Sequence, residues 1–272
     1  MSMTFSIGPA KLWRKIGTAP APVIVDVRRP EDIEASNGLL PGSAARDPRD
    51  AETWTFERST GPIVIVCEQG HERSQMAAAH LRARGLDACV LEGGYEAWRA
   101  ATLPMIDRAT ALRIAPTSPS LWVTRRRPKI DRVACPWLIK RFIDPQARFL
   151  FVDPPNVPAV ARESGAIPFD IEGVELSHEG ERCSFDTMLK LFGLKNEPSL
   201  ARLALIVRGA DTARPDLAAE AVGLHAVSLG LSALSGDDDH GLLRHGFVVY
   251  DALFAWLRYA ADERHNWPAK AA

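Results

Sequence analysis

The sequence predicts an α/β fold: a mainly parallel sheet with helices on both faces, followed by a second unit that is mostly α-helical with a little β. Three observations carry this. Val23-Ile24-Val25-Asp26-Val27 and Ile63-Val64-Ile65-Val66 are apolar runs without alternation, as expected of strands covered on both faces. Helical patterns and turns separate these runs and a further one at Ala88-Cys89-Val90-Leu91, so strands alternate with helices. Beyond residue 199 the spacing becomes helical. Leu200, Leu203, Ala204 and Val207 fall at i, i+3, i+4 and i+7, and two long apolar helical patterns cover 218–234 and 242–259.

At 272 residues the chain has room for two ordinary domains. Pro116-Thr117-Ser118-Pro119 marks the change of pattern, giving expected units at 1–108 and 121–268 with a linker over 109–120. Hydrophobic residues make up 46% and charged residues 25%, the balance of a soluble globular protein. A formal net charge of −1 removes any global pull toward nucleic acid or an anionic membrane. No apolar run nears the roughly 20 residues that span a bilayer, and positions 1–10 lack the basic-then-apolar order of a secretory signal. Cys67, Cys89, Cys135 and Cys183 are too scattered for a disulfide framework. A cytoplasmic location is the expectation.

In the first unit, 12–16 reads as a short helix and Thr18-Ala19-Pro20-Ala21-Pro22 as a loop. The run at 23–27 is a strand ending in a carboxylate, and Asp26 with Arg28 reads as an ion pair that pins the following turn. Leu40-Pro41-Gly42 is a second turn, and Gly93-Gly94 ends the strand at 88–91 before a closing helix that carries Trp98. Cys89 lies mid-strand among apolar residues and is assigned to the core.

Chemistry concentrates at Cys67-Glu68-Gln69-Gly70-His71-Glu72-Arg73-Ser74. Cys67 ends a buried strand, the next residues curl beneath it, and a helix opens near Arg73 and Ser74. Free amide groups at a helix start attract negative charge. Cys67 is therefore expected to act as a thiolate nucleophile; the structural alternative is a small buried hydrophobe. Gly70 permits a turn closed to other residues, and Arg73 offers a planar fork to an oxyanion.

These residues resemble the rhodanese family. Asp26-Val27-Arg28, Leu40-Pro41-Gly42, Val66-Cys67 and Leu91-Glu92-Gly93-Gly94-Tyr95-Glu96-Ala97-Trp98 occur in rhodanese order and spacing. The resemblance implies a five-stranded α/β sheet and a cysteine that carries sulfane sulfur as a persulfide. By that carry-over Cys67 and Arg73 are catalytic, and Glu68, Gln69, Gly70, His71, Glu72 and Ser74 form the substrate cradle. No cofactor is implied. The partners would be a sulfane-sulfur donor and a thiol acceptor. One departure stands out: sulfur-transferring members usually have a six-residue loop, whereas Cys67 to Arg73 counts seven. That length resembles the phosphatase and arsenate-reductase branches, which hold a tetrahedral oxyanion and need a proton donor. His71 or Glu72 could serve, or could be solvated loop residues.

In the second unit, 125–132 is the one dense basic block, read as a solvated strand start or an anion-binding edge. Pro136 is placed in the first turn of a helix that buries Leu138, Ile139 and Phe142. A strand at 149–152, a helix at 157–164 stopped by Gly165, and a small hairpin at 171–176 follow. Ser184 and Ser199 are the expected caps of the next two helices. Arg208, Asp211, Glu220, His225 and Asp251 are charged or polar positions in apolar helices and could meet inside a bundle. They would form an ion-pair network, or a metal or oxyanion site. His178 and Cys183 are soft-ligand candidates, although their spacing matches no common zinc pattern.

This half resembles the C-terminal domain of the chromate-resistance ChrB family. The resemblance rests on 129–144, 178–186, Ile206-Val207-Arg208-Gly209-Ala210-Asp211, 223–234 and Tyr250-Asp251-Ala252-Leu253. It implies a role in chromate response. Regulators of that family carry a DNA-binding domain at the amino end; here the rhodanese-like unit stands in that place, so nucleic acid is not an expected partner. Arg132, Cys135, Arg141, His178, Cys183, Arg208 and Asp211 are the second-half candidates, with a metal ion as an open alternative. Three functions follow: a sulfurtransferase tied to oxyanion resistance, an enzyme that processes an inorganic oxyanion, or a non-enzymatic chromate or metal sensor.

Overall fold

A computed structural model describes residues 5–18, 20–56 and 61–263. The expected loop at 18–22 is described apart from Ala19, and the expected carboxyl boundary at 268 lies outside the described residues. The first half runs β1 (Ser6–Ile7), α1 (Pro9–Trp13), β2 (Val23–Asp26), α2 (Pro30–Ala35), β3 (Gly38–Leu39), β4 (Ser43–Ala45), β5 (Ile63–Val66), α3 (Glu72–Ala83), β6 (Ala88–Leu91), α4 (Gly94–Ala100) and β7 (Ile106–Asp107). Five strands form one all-parallel sheet in the order β1-β6-β5-β2-β4. β5 is central, with Ile63 opposite both Val23 and Ala88.

The unbroken apolar runs follow from this topology, because each face of β5 meets a different core. Side chains alternate along a strand. Val64 and Val66 point toward α1 and α4, with Leu12, Tyr95 and Trp98. Ile63, Ile65 and Cys67 point toward α3, with Ala77, Ala78 and Leu81. Cys67 therefore exits the strand on the α3 side. The Asp26–Arg28 pair is buried at 2.7 Å, as expected, and the Arg28 guanidinium also stacks on Tyr95 at 3.9 Å.

The second half runs α5 (Arg108–Ile114), β8 (Leu121–Arg125), α6 (Asp131–Leu138), β9 (Arg148–Val152), α7 (Val157–Ser164), β10 (Ile167–Pro168), α8 (Ser184–Leu191), α9 (Pro198–Asp211), α10 (Glu220–Ser235) and α11 (Asp239–Tyr259). Its β content is a three-stranded parallel sheet in the order β10-β8-β9. The rest is helical, gathered around Trp137, which packs on Phe142, Phe185, Tyr250 and Phe254. Among the described residues no helix is long and apolar enough to cross a membrane.

Several local expectations are corrected. Helix α6 begins at Asp131, so Pro136 lies inside it rather than in its first turn. Its missing N–H leaves the Arg132 carbonyl without a helical donor, and the chain leaves α6 through a π-helical turn at Ile139–Ile143. No strand forms over 171–176; the segment is a series of turns closed by Asp170 N donating to Leu176 O. Helix α8 is capped at Cys183, one residue before Ser184. Glu197, not Ser199, caps α9 by accepting from Leu200 N.

The two halves share one core. The expected linker opens as α5, whose Ala111 and Ile114 are buried. Trp13 meets Trp98 and Phe142 edge-on or tilted, and Gly42 N donates to Phe142 O at 2.6 Å. Strand β7 pairs antiparallel with β3, and Asp107 N donates to Phe192 O. From the last helix, Arg258 donates to Trp13 O and Ile16 O and lies 3.5 Å from buried Glu197.

Candidate functional site

Two constellations carry chemistry, one in each half. In the first, β5 delivers Cys67 to the sheet's carboxyl edge, where parallel α/β sheets bind ligands. The chain turns at Gly70 (φ +73°), and α3 starts at Glu72 with His71 as its cap residue. Tyr95 N donates to Cys67 O and Glu96 N to Glu68 O, both at 3.0 Å. The start of α4 thus holds the loop by its carbonyls. Among the described residues, the amides of Glu68, Gln69, Gly70 and His71 donate to no protein acceptor. Gly94 (φ +60°) lies against the underside of the loop, where a Cβ would overlap Cys67 O, Gly70 N and Glu68 O.

Cys67 is buried, and its sulfur points toward the start of α3. The sulfur sits 3.0 Å from Ser74 Oγ, and the Ser74 hydroxyl also donates to His71 O at 3.0 Å. That one proton can turn to the sulfur when the sulfur carries negative charge. His71, Glu72 and Gln69 are exposed on the loop, and Gln69 reaches Glu96 at 3.5 Å. The Glu68 side chain turns toward Arg28, 3.8 Å away, and burial pushes its carboxyl up against that pull. It lines a cavity of about 640 Å³ shared with Tyr95 and Arg99. Arg73 does not present its whole fork to the loop: its Nε donates to Val27 O at 2.9 Å. Arg73 lines a second cavity of about 390 Å³ with Arg46, Asp47 and Arg108. Cys89 is core, and burial pushes its thiol up to about 11.

In the second half the structure separates the polar residues expected to meet. Asp251 accepts from Arg141 and Trp137; Glu220 pairs with Arg202; Arg208 lies 3.6 Å from Asp186; His225 Nδ1 faces Ala210 O. The basic block is no open anion edge either, since Arg125 meets Asp170, Arg126 meets Asp153 and Asp237, and Arg127 approaches Asp237. Cys135 and Cys183 are fully buried, and burial drives both thiols well above their usual range. Cys183 faces Asp186 and does not join His178 in a ligand set.

What converges instead is a group of aspartates around His178. Asp131 Oδ2, Asp170 Oδ1 and Asp211 Oδ2 lie 3.3, 3.4 and 3.4 Å from His178 Nε2. Asp131 opens α6, Asp170 follows β10, His178 is in the turn segment, and Asp211 ends α9. Arg125 and Arg132 bind Asp170 Oδ2 at 2.6 and 3.2 Å. Ser184 donates from its hydroxyl to Asp170 Oδ1 and from its N–H to Asp131 Oδ2. The Asp131 hydrogen bond and the surrounding carboxylates raise the imidazole to about 9. Burial, with Asp131 and Asp170 beside it, raises Asp211 to about 7. Sequence reasoning found His178, Asp211 and Arg132 but not Asp131 or Asp170 as site residues. Asp131 sits beside the basic block, and Asp170 follows a two-residue strand that no periodicity reveals.

The profile of the rhodanese-like domain matches residues 8–101, and that of the ChrB C-terminal domain matches residues 122–257. Protein ChrB of Cupriavidus metallidurans is 40% identical over 134 residues, which are 49% of this chain and 39% of that protein. This chain therefore spans well under half the length of that relative. Thiosulfate sulfurtransferase GlpE of Pseudoalteromonas translucida is 36% identical over 88 residues, 32% of this chain and 81% of that one. A solved rhodanese-related protein from Thermoplasma volcanium is 25% identical, covers 38% of this chain and 98% of its own, and superposes with a TM-score of 0.33.

Proposed function

Since the chain belongs to the ChrB C-terminal-domain family and carries a rhodanese-like domain ahead of that region, we propose that it is a Cys67 persulfide carrier serving chromate or related oxyanion resistance. The observation that carries this reading is Cys67 at the foot of a loop whose amides at 68–71 have no protein acceptor among the described residues, with the Ser74 hydroxyl 3.0 Å from its sulfur. The Cys67 thiolate attacks the outer sulfur of a donor such as thiosulfate. A new S–S bond forms, the donor's S–S bond breaks, and sulfite leaves with the electron pair. An acceptor thiolate then attacks the outer sulfur and releases the Cys67 thiolate, so no external oxidant or reductant is consumed. Unpaired amides aimed at developing charge are the usual source of such stabilisation. Transfer of sulfur from thiosulfate to cyanide, measured as thiocyanate, tests the reading with wild type and Cys67→Ser. Equal background rates in the two would end it.

The seven-residue span from Cys67 to Arg73, with Ser74 against the sulfur, favours a second reading. The same thiolate would accept a phosphoryl group from a phosphate monoester and pass it to water, with exposed His71 or Glu72 protonating the leaving group. Cys67-dependent hydrolysis of p-nitrophenyl phosphate, without sulfur transfer, would select it.

A further inference from the structure

We infer that Asp131, Asp170 and His178 form a binding site for one divalent transition-metal ion, of the Mn²⁺ or Zn²⁺ kind, in the ChrB-type half. Each offers one ligand atom, and these three atoms lie within 4.8 Å of one another.

The spacing is wider than that of a tight ion pair and matches a ligand set. A protonated imidazole drawn onto a carboxylate closes to about 2.7–2.9 Å. Here the nitrogen stands 3.3 Å from Asp131 Oδ2 and 3.4 Å from Asp170 Oδ1. Metal bonds of about 2.0–2.2 Å put neighbouring ligand atoms about 2.9–3.5 Å apart in tetrahedral or octahedral geometry. Both separations from the imidazole nitrogen fall in that window. Moreover, one Nε2 proton can satisfy only one of the carboxylates facing it, whereas a cation at the common centre satisfies all of them.

The surroundings hold these ligands in place. Asp131 and Asp170 are only 2% and 3% exposed. Ser184 binds one oxygen of each, and two arginines occupy the other oxygen of Asp170. Such outer hydrogen bonds fix ligand orientation in metal sites. Asp211 Oδ2, 3.4 Å from the same nitrogen, adds a third carboxylate beside the set. With two carboxylates and one imidazole the set is hard to borderline, which suits Mn²⁺, Fe²⁺ or Zn²⁺ over Cu⁺. His178 is half-exposed, so the ion keeps positions open to solvent. The site does not involve Cys67 and is independent of sulfur transfer.

The test uses the full chain, stripped with EDTA and titrated with Mn²⁺. Bound metal is read by elemental analysis after gel filtration and by Mn²⁺ electron paramagnetic resonance. Wild type and Cys67→Ser should each bind about one ion, with a rise in melting temperature that grows with free Mn²⁺. His178→Ala, at the solvent edge of the site, should keep its circular dichroism spectrum and lose at least about tenfold in affinity. Asp170→Asn should lose binding as well, but His178→Ala decides if that variant misfolds. Absence of binding to wild type by both Mn²⁺ and Zn²⁺ would overturn the assignment, as would wild-type affinity in His178→Ala. Either result would identify the cluster as charge pairing between three aspartates and their His and Arg neighbours.

Discussion

Replacing Gly94 by alanine should disable the proposed sulfur transfer while leaving the fold largely intact. Gly94 adopts φ +60°, and an added Cβ would overlap three backbone atoms of the Cys67 loop, where no flexible side chain can yield. The left-handed conformation alone costs a non-glycine residue about 1–2 kcal/mol. Relief of the overlap must come from moving the loop by roughly 1 Å, a displacement that can cost about 100-fold in rate when it misplaces reacting groups. Gly85 is the control. Its φ is +81°, and an added Cβ there would meet nothing within 4 Å. Gly85→Ala thus carries the same conformational cost without the collision. At about 2–4 °C per kcal/mol for a chain near this size, Gly85→Ala should melt a few degrees early, and Gly94→Ala, which adds the collision, earlier still. Thiosulfate–cyanide transfer should fall about 100-fold in Gly94→Ala and stay near wild type in Gly85→Ala. Equal activity in the two variants would refute the claim that the glycine under the loop sets the position of Cys67.

Ser74→Ala removes the hydroxyl 3.0 Å from the sulfur; it should slow alkylation of Cys67 by iodoacetamide and sulfur transfer together, each by about 10-fold if one hydrogen bond of about 1.4 kcal/mol is lost, and unchanged rates would remove Ser74 from the cradle. Arg258→Met leaves buried Glu197 without its cation and forfeits two hydrogen bonds to the first half; breaking such a pair costs about 3–5 kcal/mol, which should appear as a large drop in melting temperature by calorimetry. Asp144 accepts from Ser118, from Ser120 twice, and from Gln146 N; Asp144→Ala strands those donors at about 1–3 kcal/mol each where buried, and protease should cut near 118 in the variant before it cuts wild type.

The first half was legible because its signals are local. Four consecutive buried β-branched residues, a cysteine and a glycine turn specify strand, loop and helix without reference to distant sequence. The Asp26–Arg28 pair is two residues apart, so it too could be read. Less could be read where one position serves a remote partner. Arg73 looks like an oxyanion fork, but its Nε is bound to Val27, 46 residues away. The His178 cluster draws on positions 131, 170 and 211, none of which stands at motif spacing from another. Helical periodicity correctly buried Leu200, Leu203 and Val207. It could not say that Asp211 and Asp251 face different partners, because that depends on how the helices cross.

The same distinction bears on how the halves cooperate. Each matches its own family, and the proline-rich stretch between them suggests a flexible join. Yet Trp13, Trp98 and Phe142 form one aromatic contact across the join, and Arg258 reaches from the last helix to the carbonyls of Trp13 and Ile16. Helix α4, which carries Trp98, also supplies the N–H groups that hold Cys67 O and Glu68 O. The shared core thus packs against the helix that positions the cysteine loop. Packed interiors pass displacement on more readily than they absorb it, so a change in how the second half seats on Trp13 and Trp98 has a short mechanical route to the Cys67 cradle. In this chain the ChrB-type half is part of the support of the rhodanese-like site.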